Sequence, residues 1–174
     1  MISAAASDPL APTRLTGWQA VRLVGNIVNL TTLLGLLVAL IGRARIRRGP
    51  RGLWLAEGYR IRFPVAGAFT IGSVITTPTT FAERLRGLPQ LLAHEERHTW
   101  QYLCCLGLPF YLVYVVMMGW SVLRTGDRAA RNAFERLAGL ADGGYEDRPV
   151  IPLKVQAGRA AGWLRRSLGS LGHR

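Results

Sequence analysis

The stretch Leu91–Leu103, LLAHEERHTWQYL, decides how the rest of the chain is read. It carries His94 and His98, two of the three histidines, four positions apart, with Glu95 directly after the first. On an α-helix, side chains at i and i+4 lie one above the other on the same face. Two imidazoles so placed can take adjacent corners of a tetrahedral zinc ion. Glu95 then sits where a carboxylate can accept a proton from water activated by that ion. The competing reading is a solvated, charge-rich turn in which Glu95, Glu96 and Arg97 pair with their neighbours.

Working outward, Pro89 suits the first turn of this helix, where its missing N–H costs nothing, and the helix is expected to run to about Cys105. Gln101 and Cys105 continue the face of His94 and His98. Gln101 suits a hydrogen bond to substrate or to a ligating group. Cys105 reads as a buried thiol, with thiolate ligation the alternative. Upstream, Thr80-x-x-Glu83 has the form of a capping box opening a short helix that Gly87 ends. Residues 53–77 are rich in β-branched and aromatic types, punctuated by Gly58, Pro64, Gly67 and Gly72. They read as two or three short antiparallel strands, either a plain hairpin against the helix or an edge able to hold an extended peptide.

Downstream, Leu103–Leu123 contains no charge, but Gly107-Leu108-Pro109 interrupts it. The remainder, Phe110–Leu123, would be roughly 21 Å long as a helix, short for a bilayer crossing. Arginines flank the run on both sides, so a re-entrant or interfacial segment is expected, with both flanks cytoplasmic. Asp127 is placed to cap a final helix, DRAARNAFERLAGLADGG, ended by Gly143-Gly144, with Ala130, Phe134, Leu137 and Ala141 as its apolar stripe. Glu135 borders that stripe, either facing inward toward a metal or paired on the surface with Arg131.

At the other end, Leu23–Gly42 runs twenty residues without a charge, enough to cross a bilayer as one helix. Its polar members, Asn26, Asn29, Thr31 and Thr32, are expected to face another helix. Arg43, Arg45, Arg47, Arg48 and Arg51 follow, which puts that side in the cytoplasm and doubles as an anchor to anionic lipid. The expected organisation is a flexible tail at 1–17, without the pattern of a signal peptide, and a transmembrane helix with its basic flank at 18–50. A metal-binding domain at 51–148 and a basic amphipathic or disordered tail at 149–174 complete it.

The totals agree with this layout. The 174 residues suit one domain plus anchors, 49% of them are hydrophobic, and the net charge is +12, with Lys154 the only lysine. Such a balance favours an anionic partner. No nucleic-acid motif is present and the arginines cluster beside apolar runs, so anionic lipid headgroups are expected and nucleic acid is not. The adjacent Cys104 and Cys105 form no disulfide framework.

Taken together, His94-Glu95-Glu96-Arg97-His98-Thr99-Trp100-Gln101 and Asn132-Ala133-Phe134-Glu135-Arg136-Leu137-Ala138 resemble the paired motifs of gluzincin-type zinc metallopeptidases. The chain looks closer still to small bacterial membrane-associated proteins that pair HExxHxxQ with an apolar run and an NxFExxA helix. The resemblance covers about 69–145. It implies an α+β, mainly α, zincin-like fold in which His94, His98 and Glu135 bind Zn2+ and Glu95 is the general base. Asn132 would support the ligands from behind, and Tyr145 or Arg97 would face the oxyanion. Asp142 and Glu146 are the next ligand candidates should Glu135 fail. Glu96 and Arg97 depart from the uncharged residues usual in such peptidases.

The expected function is a membrane-bound, cytoplasm-facing zinc peptidase acting on a peptide or protein substrate. Its shallow cleft would be completed by the membrane or a second subunit. The alternatives are a zinc-bound but non-catalytic membrane protein acting in assembly, and a basic, metal-free anchor.

Overall fold

A computed structural model describes residues 8–156 and 158. The reading of 149–174 as an amphipathic or disordered tail falls largely on residues 157 and 159–174, and part of the 1–17 tail on 1–7; both lie outside the described residues. The fold is α+β. Its elements are α1 (Gly17–Val28), α2 (Thr31–Ile41), β1 (Arg45–Arg48), a 3-10 turn (Pro50–Gly52), β2 (Trp54–Glu57), β3 (Phe69–Ile71) and β4 (Val74–Thr77). Then follow α3 (Phe81–Gly87), α4 (Leu91–Cys104), α5 (Pro109–Thr125) and α6 (Ala133–Leu137).

The transmembrane helix expected within 18–50 does not form as one helix. The charge-free run is divided between α1 and α2, which meet at 71°, and among the described residues no single helix is long and apolar enough to cross a membrane. The break has a local cause. Asn29 Oδ1 accepts from the Thr31 N–H at 3.1 Å and its hydroxyl at 2.6 Å, which starts a new helix. Leu30 takes up the turn in the left-handed region at φ 66°. Asn26, Thr31 and Thr32 are buried, but only Asn26 meets α4, donating to the Thr99 carbonyl at 2.8 Å, whereas Thr32 Oγ1 accepts from the Ser73 N–H of the β3–β4 turn at 3.2 Å.

The strands form one mixed sheet in the order β1-β2-β4-β3, not the all-antiparallel arrangement expected. β1 and β3 run antiparallel to their neighbours, whereas β2 and β4 are parallel, Leu55 opposite Ile75. A parallel pair needs a crossover longer than a hairpin, and residues 58–73, with β3 inside them, supply it. The basic stretch read as a lipid anchor contributes β1, which pairs with β2 along the sheet edge. Leu53, Leu55, Ile75, Phe81 and Leu92 close the main core, together with Leu10 from the N-terminal segment.

α3 begins with the expected Thr80–Glu83 capping box. Pro89 lies outside α4, whose N-cap is Gln90. Pro109 opens α5 rather than breaking a helix, and α4 and α5 bend by 119° at the intervening Gly107-Leu108 turn. The long final helix expected from Asp127 is not continuous. Asp127 Oδ1 accepts from Ala129 and Ala130 N–H groups in a turn, Asn132 caps a new five-residue helix α6, and Gly139 at φ 85° follows it. The turn is held to α5, where Ser121 Oγ accepts from the Arg131 N–H at 2.7 Å. This fold-back lays α6 against α4.

Candidate metal centre

α4 is the axis of the site. Its apolar Leu91, Leu92 and Tyr102 are buried in the same helix that buries His94, Glu95, His98 and Thr99, so hydrophobic packing fixes where the polar side chains point. From the opposite side, Asn132 Oδ1 accepts from the Phe134 N–H at 3.0 Å, starting α6 so that Glu135 falls on its inner face. Two further contacts dock α6 and the turn after it. Gln101 Nε2 donates to the Phe134 carbonyl at 3.0 Å, and Arg97 to the Ala138 carbonyl at 2.5 Å.

The result is a buried group of three. Nε2 of His94 lies 3.1 Å from Nε2 of His98, and Glu135 Oε2 lies 3.2 Å and 3.7 Å from them. A tetrahedral ion with bonds of about 2.0–2.1 Å holds its donors about 3.3–3.4 Å apart, so these separations bracket that spacing. Hydrogen-bond partners then fix the protons. Nδ1 of His94 faces two carbonyls, of Ala138 at 3.1 Å and Gly139 at 3.0 Å, which only accept. Nδ1 of His98 faces Gln101 Oε1 at 2.8 Å, an amide whose nitrogen is committed to Phe134. Each Nδ1 is therefore the donor, and each ring turns its Nε2 inward, toward the other ring and Glu135.

Glu135 completes the argument. Its Oε1 accepts from the Tyr114 hydroxyl at 2.5 Å, while Oε2 is buried with no hydrogen-bond partner. Two ring nitrogens and a carboxylate oxygen thus converge. Such a set is satisfied by a cation, so these residues can hold a metal ion. Without one, the group's remedy is to bind a proton. Burial opposes charge at His98, but hydrogen bonding and charge from Glu135, with the charge of Glu95, outweigh it and raise the His98 pKa. At Glu135 burial likewise opposes ionisation, but the two imidazoles beside Oε2 and the Tyr114 hydroxyl on Oε1 prevail and hold the carboxyl well below its usual range.

Glu95 is buried beside this group but outside it. Its Oε2 accepts from Thr70 Oγ1 of β3 at 2.6 Å. It lines a cleft of about 30 Å³ together with Gly67, Ala68, Arg84, Leu88, Leu91, Gly143 and Tyr145. That is about the space one water occupies in the liquid. Gly143 is required here, because a Cβ at that position would lie 2.5 Å from the His94 ring. Tyr145 also lines an outer pocket of about 250 Å³ with Arg136, Leu140, Ala141 and Asp147, so its ring stands between the two spaces.

The other candidates take different places. Arg97 pairs with Asp142 at 2.7 Å, which occupies both the proposed oxyanion group and a reserve ligand. Glu146 is exposed, Cys104 and Cys105 are free thiols, and none of the three joins the buried group. Glu96 does not face solvent alone: Arg22 of α1, fully buried, bonds it at 2.6 Å and Arg51 at 2.5 Å. Two residues escaped the sequence reading. Tyr114 sits in an apolar run whose buried phenol needed a partner, which was the available signal. Thr70 gave none, since nothing in a strand marks which hydroxyl will meet a helix. Comparison with protein-family models, curated proteins and solved structures finds no match for this chain.

Proposed function

We propose that the chain is a zinc-dependent hydrolase of peptide bonds, with His94, His98 and Glu135 as the ligands and Glu95 as the general base. The observation that carries this reading is the convergence of two Nε2 atoms and the unpartnered Glu135 Oε2, one turn of helix from a buried carboxylate that is not a ligand. The likeness of the paired motifs to those of gluzincins supports it. Zinc in such a three-ligand site supplies a Lewis acid that lowers the pKa of water and polarises a carbonyl. Glu95 takes the proton from the attacking water and delivers it to the leaving amine. The Thr70 hydroxyl holds Oε2 of Glu95, which leaves Oε1 for that proton. β3, which carries Thr70, is one of the two edge strands of the sheet, and that edge suits an extended peptide added alongside it. Tyr145, beside Glu95 in the cleft, is the phenol best placed to meet the developing oxyanion.

A zinc-bound, non-catalytic role in assembly is the second reading, favoured by the cleft itself. The cleft beside Glu95 is small, about 30 Å³, and Tyr145 forms part of its lining. Glu95→Gln separates the two. Peptide cleavage that is lost in this variant while the metal content stays at the wild-type level supports the hydrolase. Wild-type, metal-loaded protein that cleaves nothing in a broad peptide library leaves the assembly role standing.

A further inference from the structure

The helical side of the molecule is built inside out. α1 and α2 bury Arg22, Asn26, Thr31 and Thr32, and turn Val24, Val28, Leu33 and Leu37 to the outside. In a chain surrounded by water the pattern runs the other way. α5 does likewise: it buries only Phe110, Ser121 and Thr125, and exposes Leu112 and Val116. These surfaces adjoin, because a Cβ on Gly107 in the α4–α5 corner would lie 2.8 Å from the Asn29 side chain in the α1–α2 corner. The two corners stand side by side. Leu106, 81% exposed, marks the tip of one and Val28, 73% exposed, the tip of the other.

Charge identifies the occupant of this face. No Asp, Glu, Lys or Arg occurs in 23–42 or 98–123, the segments that hold both corners. Exposed cations flank these helices at their outer ends: Arg14 before α1, Arg43 and Arg45 after α2, and Arg128 after α5. Exposed Trp18 lies beside the first of these ends, and Trp120, stacked by Arg124 at 5.2 Å, near the last. An apolar tip, then tryptophan, then arginine is the order met on passing from the hydrocarbon of a bilayer to its anionic headgroups. Length limits the depth. α1 and α2 span roughly 18 Å and 16 Å and α5, the longest, roughly 26 Å, so none of the three reaches across a hydrocarbon core of about 30 Å.

We propose that the α1–α2 and α4–α5 corners form a single wedge that seats in one leaflet of an anionic bilayer without crossing it. This goes beyond the metal reading and is independent of it. The test uses the full-length purified chain and vesicles of mixed phosphatidylglycerol and phosphatidylcholine. The chain should float with the vesicles, and Val28→Glu or Leu112→Glu should weaken the partition by roughly tenfold or more. Leu137→Glu, an exposed apolar position outside both corners, should leave it unchanged. Cys104, exposed beside the α4–α5 corner, should be shielded from a charged maleimide outside the vesicles and should not react with one trapped inside. Three outcomes overturn the proposal: binding that salt abolishes and the glutamates do not affect, labelling of Cys104 from the lumen, and a stable lipid-free dimer that buries this face and ignores vesicles. All the substituted side chains are exposed, so folding is spared, and circular dichroism of each variant verifies it.

Discussion

The two sides of α4 are built on opposite rules. Below it, the sheet and α3 pack Leu53, Leu55, Ile75 and Phe81 into an apolar core. On the other side, α1 packs on α4 and α2 on the sheet. They place a guanidinium, an amide and two hydroxyls inside and most of their aliphatic side chains outside, with Ala39 of α2 buried against Ala56 and Val74. The first side is held by burial of apolar area. The second is held by hydrogen bonds from buried donors: Arg22 to Glu96 and to the Arg51 carbonyl, Asn26 to the Thr99 carbonyl. The comparison teaches that hydropathy reports which residues are apolar, while the partner on each face decides whether those residues point in or out.

Substitutions can break or sharpen that contrast in detergent-free buffer, with urea unfolding as the measurement. Phe81→Ala should cost the most, about 4 kcal/mol, because it empties a fully enclosed site in the conventional core. Arg22→Met should follow at about 3 kcal/mol. Burial lowers the Arg22 pKa and Glu96 opposes that shift, and removing the guanidinium orphans a half-buried carboxylate that keeps only Arg51. Asn26→Ala should cost about 2 kcal/mol, by removing the buried bond that ties α1 to the Thr99 carbonyl of α4. Leu37→Ser on the outer face of α2 should cost under about 0.5 kcal/mol, since its side chain gives up little burial. An Asn26→Ala variant as stable as wild type, or a Leu37→Ser variant as damaged as Phe81→Ala, would erase the distinction between the two sides.

The smallest effect expected is a dependence on pH in chelator-treated protein. His98 has a raised folded pKa, so its contribution is present below the ordinary value of 6.5 and is lost as pH rises through the raised one. Glu135 has a lowered folded pKa, so its contribution is present above 4.5 and is lost as pH falls through the lowered one. Metal-free protein should therefore be most stable between these two ordinary values. Loaded protein should gain relative to it as pH rises, because metal and proton compete for the same nitrogen.

Much of the site was legible because its signals are local. The His94–His98 spacing, the Thr80–Glu83 box and the Gly107-Leu108-Pro109 break each act within a few residues of chain, and each appears where the sequence places it. Glu135 was named from a motif and is buried among the two histidines. What could not be read depends on contacts distant in sequence. A charge-free run gives no sign that Asn29 will fold onto Thr31, so α1 and α2 read as one span. The register of β2 with β4 rests on side chains twenty positions apart. The shortness of α6 follows from Asn132 and Gly139 acting together, where the apolar stripe alone continued through both.

The central claim is that three acceptors face one cation. Elemental analysis of the purified chain, run beside His98→Ala and Glu135→Ala, tests it most directly. The account predicts a single tightly held ion per wild-type chain, which is lost or bound roughly a hundredfold more weakly in both variants. Wild-type protein with no ion, or metal content that stays the same when Glu135 is removed, would contradict it.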